Sequence, residues 1–166
     1  LIPLEKIPVA ARALLGLTLS AGSSPSGQRI AVIEMSSVSG LALLPSVERD
    51  PWQTTSSGPG ELIRAAAPEP GVVGILLGVG GSATSDLGLG ALGALGLEFR
   101  AANDAPVSPP IPARWTEIAR IAGRVAPGLP PIRIACDVTN PLFGPRGAAA
   151  VYGPQSNGAA GYTNFV

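Results

Sequence analysis

The stretch GVVGILLGVGGSATSDLGLGALGALG, residues 71–96, decides how this chain folds. Residues 72–77 are a continuous apolar run, which is typical of a strand buried in a parallel sheet, and residues 87–97 are a glycine-spaced apolar segment that predicts a helix. The glycines at 78, 80 and 81 let backbone amides point outward, and the hydroxyls and acid that follow add oxygen ligands. The stretch therefore predicts a strand, a glycine turn and a helix, with a site for phosphate or a metal–phosphate complex at the turn.

The same alternation of strands and helices extends to both sides of this stretch. Residues 29–35, RIAVIEM, form a second apolar run rich in β-branched side chains. Further strands are predicted at residues 97–100 and 132–136, and helices at residues 36–44, 61–67 and 115–125. This order predicts the α/β fold class, with a mostly parallel sheet, flanking helices and a Rossmann-like arrangement.

The composition limits the size of the fold and the kinds of partner. A chain of 166 residues is long enough for one ordinary domain, so we expect a single α/β domain over residues 1–166. Its 11 basic and 11 acidic residues cancel, and no run of Lys or Arg could neutralise a row of phosphates, which predicts no nucleic-acid partner. Glycines interrupt the longest apolar run, so we also expect no membrane span.

Two residue types that carry much enzyme chemistry are scarce in this chain. It has no histidine, which excludes a Ser-His-Asp centre and a His-ligated metal within these residues. Proton transfer would fall to Asp, Glu, Lys or Tyr. Cys136 is the single cysteine, so no internal disulfide can form, and a cytoplasmic location fits best.

Three polar clusters follow predicted strands or precede predicted helices, at residues 54–60, 80–86 and 137–147. Ligands of open parallel sheets bind at the carboxyl edge, where these clusters should meet. Asp86 ends the second cluster. Asp137 begins the third and could bind a ligand or cap the backbone of its own turn. Glu34 ends a strand and could serve as a ligand or pair with an arginine.

Four blocks of sequence, in this order, resemble the type I glycerate kinases, which phosphorylate D-glycerate with ATP. The resemblance runs from about residue 8 to residue 155. Members of that family extend beyond both ends, with an Asp-Ser-Phe-Lys turn, an ADGGEGT-like stretch and a GEG block that are absent here. The resemblance thus implies a fragment of a larger two-domain kinase, with a fold that is incomplete relative to the family. The blocks are AVIEM-SSVSGL (31–41), TTSSGPGELI (54–63), GVGGSATSD (78–86) and ACDVTNPLFGPRGAAAVYGPQ (135–155).

The resemblance implies ATP and Mg²⁺ as cofactors, D-glycerate as the small-molecule substrate, and catalytic roles for Asp86 and Asp137. Asp86 could hold Mg²⁺ or accept the proton of the glycerate hydroxyl. Members usually carry an asparagine where this chain has Ser85, and a glycine where it has Leu87. Residues expected to bind substrate or phosphate are Gly80, Gly81, Ser82, Thr84, Ser57, Gly58, Asn140 and Glu34.

Two other functions compete with an active kinase. Gly78-x-Gly80-x-x-Ala83 after a strand satisfies a loose dinucleotide-binding pattern, and Glu98 stands where a ribose-binding acid would be expected. The second alternative is a degenerate kinase core that folds without turnover. Because the flanking blocks are absent, we expect little or no kinase activity from this chain alone.

Overall fold

The computed structural model describes residues 1–16, 26–142 and 144–153. Its strands and helices follow one another in the order that the sequence predicts for most of the chain. The strands are β1 (Ile2–Pro3), β2 (Arg29–Glu34), β3 (Val72–Gly78), β4 (Leu97–Arg100), β5 (Arg120–Gly123) and β6 (Ile132–Ala135). The helices are α1 (Val9–Leu14), α2 (Ser36–Ser39), α3 (Ser57–Ala66), α4 (Leu89–Ala94) and α5 (Ala148–Tyr152).

The main sheet has four strands in the order β1-β2-β3-β6. Strands β2, β3 and β6 are parallel, and the short β1 pairs antiparallel with β2. In register, Glu34 lies beside Gly78 and Gly78 lies beside Ala135, so the carboxyl ends of three strands meet at one edge. The predicted α/β class with a mostly parallel sheet is confirmed.

One face of this sheet carries the hydrophobic core. Ile33 and Ile75 point from β2 and β3 toward Ile63 of α3, and all three are buried. Ala31 and Leu95 complete the cluster. Removing a side chain such as Ile75 from water stabilises the fold by about 2 kcal/mol, which explains why these strands read as apolar runs.

Helices α3 and α4 approach each other through glycine. A Cβ atom added at Gly60 of α3 would lie 2.5 Å from the carbonyl oxygen of Ala91, and one added at Gly90 of α4 would lie 2.1 Å from Thr55 Oγ1. Real Cβ atoms do not approach other atoms so closely, so only glycine permits this crossing. Gly60 and Gly90 therefore serve helix packing.

The predicted helix over residues 115–125 is wrong. A 3-10 helix, Pro112–Glu117, is followed by β5, which pairs antiparallel with β4 in a separate two-stranded sheet. Apolar residues three and four apart suggested a helix, but Ile121 pairs with Phe99 across the strands, and that tertiary pairing outweighs a weak local pattern. Among the described residues, no helix combines the length and apolar character needed to cross a membrane.

Candidate functional site

A cleft of about 610 Å³ opens at the edge where β2, β3 and β6 end. The glycine turn and the residues after it, 79–88, form its floor, and Asp137 lies on the side of β6. Met35 and Leu41 line the side of β2. Residues of the predicted clusters 80–86 and 137–147 therefore share this cleft, whereas no residue of the cluster 54–60 lines it.

The glycine turn presents backbone amides that have no acceptor among the described residues. The backbone of the turn is held in place, since the Leu41 amide donates to Gly81 O at 2.9 Å and the Ala83 amide donates to Ser39 O at 2.8 Å. Gly81 has φ +66°, a conformation that favours glycine. The amides of Gly80, Gly81 and Ser82 make no hydrogen bond to any residue in the described ranges. Consecutive free amides of this kind make an anion-binding concavity.

Asp86 borders this cleft, but its side chain points into the protein and is 1% exposed. Oδ2 accepts hydrogen bonds from the Ser56 amide at 2.7 Å, the Ser56 hydroxyl at 2.8 Å and the Gly90 amide at 3.0 Å. Oδ1 accepts from the Thr84 hydroxyl and the Gly88 amide, both at 3.0 Å. With a longer hydrogen bond from the Thr55 hydroxyl to Oδ2 at 3.5 Å, six protein donors occupy the two oxygens and connect the glycine turn to the starts of α3 and α4.

Asp137 differs from Asp86 in its surroundings. It follows β6, the strand next to β3, is exposed and lines the cleft. Among the residues that line the cleft in the described part of the chain, Asp86 and Asp137 are the acids and no Lys or Arg occurs. With Asp86 saturated, Asp137 is the carboxylate that a ligand in the cleft can reach.

The structure separates four expected ligands from the cleft. Asn140 donates to Arg146 O and accepts from the Tyr152 hydroxyl, so its amide fixes the loop after β6. Ser57 is the first residue of α3 and borders a second, smaller hollow, while Gly58 packs against Val38. Glu34 is exposed at the end of β2 and is not among the residues that line the cleft. Gly80, Gly81, Ser82 and Thr84 do line it.

Two tryptophans in the cleft wall were missed by the sequence reasoning. Trp52 and Trp115 are half-buried and line the cleft, and they come from segments that follow Pro51 and Pro112. The Ala113 amide donates to Trp52 O at 3.0 Å, which holds the two segments together. The available signal was that the only two tryptophans of the chain both stand in proline-containing connections.

The acids of the described residues offer limited support for a metal. No group of three or more Cys, Asp and Glu side chains that could hold one occurs in residues 1–16, 26–142 and 144–153. The oxygens of Asp86 are already used by protein donors. Mg²⁺ commonly binds through one or two carboxylates together with substrate phosphates, and Asp137 fits that use.

The dinucleotide alternative finds no support in the geometry. Helix α4 begins at Leu89, eleven positions after β3 ends at Gly78, whereas a dinucleotide-binding helix starts within the glycine motif. Glu98 lies on β4 in the second sheet and forms an ion pair with Arg100.

A mostly parallel sheet with a glycine turn and a cleft at its carboxyl edge defines an α/β protein of the open-sheet class, whose members bind ligands at that edge. The sequence model of the glycerate kinase family matches residues 4–162. The chain therefore belongs to the glycerate kinase family.

Individual relatives agree with this membership. The chain is 43% identical over 155 residues to the glycerate kinase of Halalkalibacterium halodurans, a match that covers 91% of this chain and 40% of that protein. It is 42% identical over 148 residues to the glycerate 2-kinase of Escherichia coli K12, covering 85% and 38%. A crystal structure from Salmonella typhimurium LT2, assigned as glycerate kinase 2, superposes with a TM-score of 0.71 at 42% identity, covering 82% of this chain and 37% of that one. The chain thus spans about 40% of the length of the relatives it matches.

Proposed function

We propose that this chain supplies one wall of the active site of an ATP-dependent glycerate kinase, which transfers a phosphoryl group to a hydroxyl of D-glycerate. The observation that carries the proposal is the group of three free amides, at Gly80, Gly81 and Ser82, facing a cleft that also holds Asp137. Neutral amides at a glycine turn can bind the oxygens of a phosphate or a carboxylate.

Asp137 is the acid that we assign to the chemistry. When the glycerate hydroxyl attacks phosphorus, its proton must pass to a base, and an exposed carboxylate in the cleft can accept it or hold the metal that accompanies ATP. Bound Mg²⁺ would neutralise part of the phosphate charge. Serine and threonine hydroxyls at Ser82 and Thr84 would orient the anion.

Asp86 has a different task in this proposal. Its six hydrogen bonds leave no reason to expect contact with the reacting atoms, although the resemblance to the family suggested such a contact. We assign it to positioning, because it fixes the end of the glycine turn against the helices behind it. The amides of the turn then keep their direction without help from the ligand.

A chimaeric enzyme tests the proposed function against the alternative of a degenerate core. In the glycerate kinase of Halalkalibacterium halodurans, the matched 155 residues would be replaced by the corresponding part of this chain. We expect ATP-dependent turnover of D-glycerate in a coupled ADP-release assay, and at least a hundred-fold loss with Asp137→Asn, within the range for a general base. The isolated chain serves as the control and should show little or no turnover. A chimaera that melts cooperatively but shows no turnover would favour the degenerate core.

A further inference from the structure

The cleft is much larger and more apolar than a three-carbon acid requires. Its volume of about 610 Å³ falls within the range of pockets that enclose a drug-sized ligand, which is about 300–1,000 Å³. Glycerate would occupy only the part beside the glycine turn and Asp137. The remaining space is bordered by Trp52, Trp115 and Leu41 and can hold a second, largely apolar part of a ligand.

The charges of the cleft limit what that group can be. The described residues that line it include two carboxylates and no basic side chain, so this wall cannot neutralise a chain of phosphates by itself. Phosphate oxygens can bind to the turn amides at Gly80, Gly81 and Ser82. The wall formed by Leu41, Trp52 and Trp115 therefore suits the uncharged base of a nucleotide.

The indole rings give that wall its chemical character. The ring nitrogen of Trp115 donates to Pro110 O at 3.3 Å, so its only hydrogen-bond donor is already used. What the ring can give a ligand is stacking and dispersion, which suit the flat face of a nucleobase. The Trp115 segment is also held in shape, because Arg114 binds Glu117 through two hydrogen bonds of 2.9 and 2.7 Å.

We propose that Trp52 and Trp115 form a stacking subsite for the adenine base of the nucleotide, on the same cleft as the glycine turn. This inference rests on the proposed function and extends it, since it says which part of the chain recognises the base. The base lies against the indoles, and the phosphates extend toward the amides of Gly80 to Ser82.

The test uses the 166-residue chain and adenosine, which has a base but no phosphate. Trp52 and Trp115 are the only tryptophans, so intrinsic fluorescence reports directly on this wall. We expect a saturable change on titration, a dissociation constant confirmed by calorimetry, and competition by ADP. Since stacking of a base on an aromatic ring contributes about 1–3 kcal/mol, Trp115→Leu should weaken adenosine binding by roughly ten-fold.

Matched variants separate stacking from loss of fold. Trp115→Phe keeps an aromatic face and should keep most of the affinity, whereas Val47→Ala changes an exposed apolar side chain that does not line the cleft and should change nothing. Each variant is compared by its thermal melting curve. The proposal is overturned if the parent chain shows no saturable response to adenosine, or if Trp115→Leu melts like the parent and binds adenosine equally well.

The outcomes also separate this inference from the proposed function. Adenosine binding that ADP displaces but D-glycerate does not supports both. Adenosine binding displaced by NAD⁺ and not by ADP keeps the stacking subsite and counts against the kinase. Binding of D-glycerate without any response to adenosine overturns the subsite and leaves the proposed kinase in place.

Discussion

At the scale of single residues, Asp86 shows how a buried acid can shape a binding site without touching its ligand. Ser56 contributes both its amide and its hydroxyl to Oδ2, and the same hydroxyl accepts a hydrogen bond from the Ala91 amide at 3.0 Å. The carboxylate thereby satisfies amides at the beginnings of both α3 and α4, which have no partners within their own helices.

We predict that Asp86→Asn destabilises the fold. An asparagine amide has only one acceptor oxygen, so its NH₂ group would face a backbone donor and leave a buried hydrogen bond unmade, at a cost of about 2–3 kcal/mol. In a chain of this size that corresponds to a fall in Tm of roughly 5–10 °C. The matched control is Asp137→Asn, an exposed acid whose change should leave the Tm within about 1–2 °C. Equal melting temperatures for the two variants would contradict the positioning role.

The backbone of Leu87 is in a strained conformation. It has φ +55°, a backbone conformation that favours glycine, and its side chain is 54% exposed. A side chain in this left-handed region costs about 1–2 kcal/mol, and little apolar contact is lost with the side chain.

Leu87→Gly should therefore stabilise the chain by about 1 kcal/mol, measured by urea denaturation. The control is Leu142→Gly, because Leu142 is 53% exposed and is not among the residues with positive φ. That change should be neutral or destabilising, since glycine only adds freedom to the unfolded chain. A destabilised Leu87→Gly variant would show that the strain is compensated by contacts of the leucine.

At the scale of elements, the crossing of α3 and α4 depends on particular glycines. Gly90 and Gly93 lie on the same helix, but a Cβ at Gly90 would come within 2.8 Å of Asp86 Oδ2, while one at Gly93 would meet Phe99 at an ordinary 3.5 Å. Their different surroundings provide a paired experiment within one helix.

We expect Gly90→Ala to destabilise the chain by at least about 2 kcal/mol, because it forces apart groups that cannot shift separately. Gly93→Ala should be neutral or stabilising by up to about 1 kcal/mol, because alanine favours a helix. Denaturation of both variants in urea gives the comparison. If both variants lost a similar free energy of unfolding, α4 would be sensitive to any added side chain, and the contact with α3 would not be the cause.

The sequence could predict those parts of the fold that depend on local patterns. β2, β3 and β6 could be predicted because each is a short apolar run, and each was predicted to within one or two residues. β5 was missed because its pairing with β4 is a tertiary choice. The turn amides and Asp137 were predicted at the site, since glycine and strand ends are visible in sequence. Ser56, which donates two hydrogen bonds to Asp86, lies 30 residues away and leaves no local signal.

At the scale of the whole molecule, one edge of the main sheet is open among the described residues. β6 pairs with β3 on one side, and Ile134 on β6 is 65% exposed. Unpaired strands with apolar side chains can pair with another chain. That the chain is a single domain of a larger two-domain kinase stays a prediction, and this edge is one place where further chain could pair.

We predict that the isolated chain self-associates as its concentration rises, and that Ile134→Lys reduces this association, because a charge on an edge strand opposes pairing. Sedimentation velocity over a range of concentrations measures the effect. Val47→Lys adds the same charge at a position that is 90% exposed and outside any strand, and it should leave the association unchanged. Equal effects of the two lysines would point to net charge instead of the edge.

The hydrogen bonds of Asp86 also have a consequence for how the chain folds. Two of them join Asp86 to Ser56, 30 positions earlier in the chain. These two cannot form until β3 and both helices have come together. Contacts between distant positions form slowly because the intervening loop must first close. The amides of the glycine turn should thus acquire their final direction late, and a refolding chain should regain ligand binding only together with its last cooperative step.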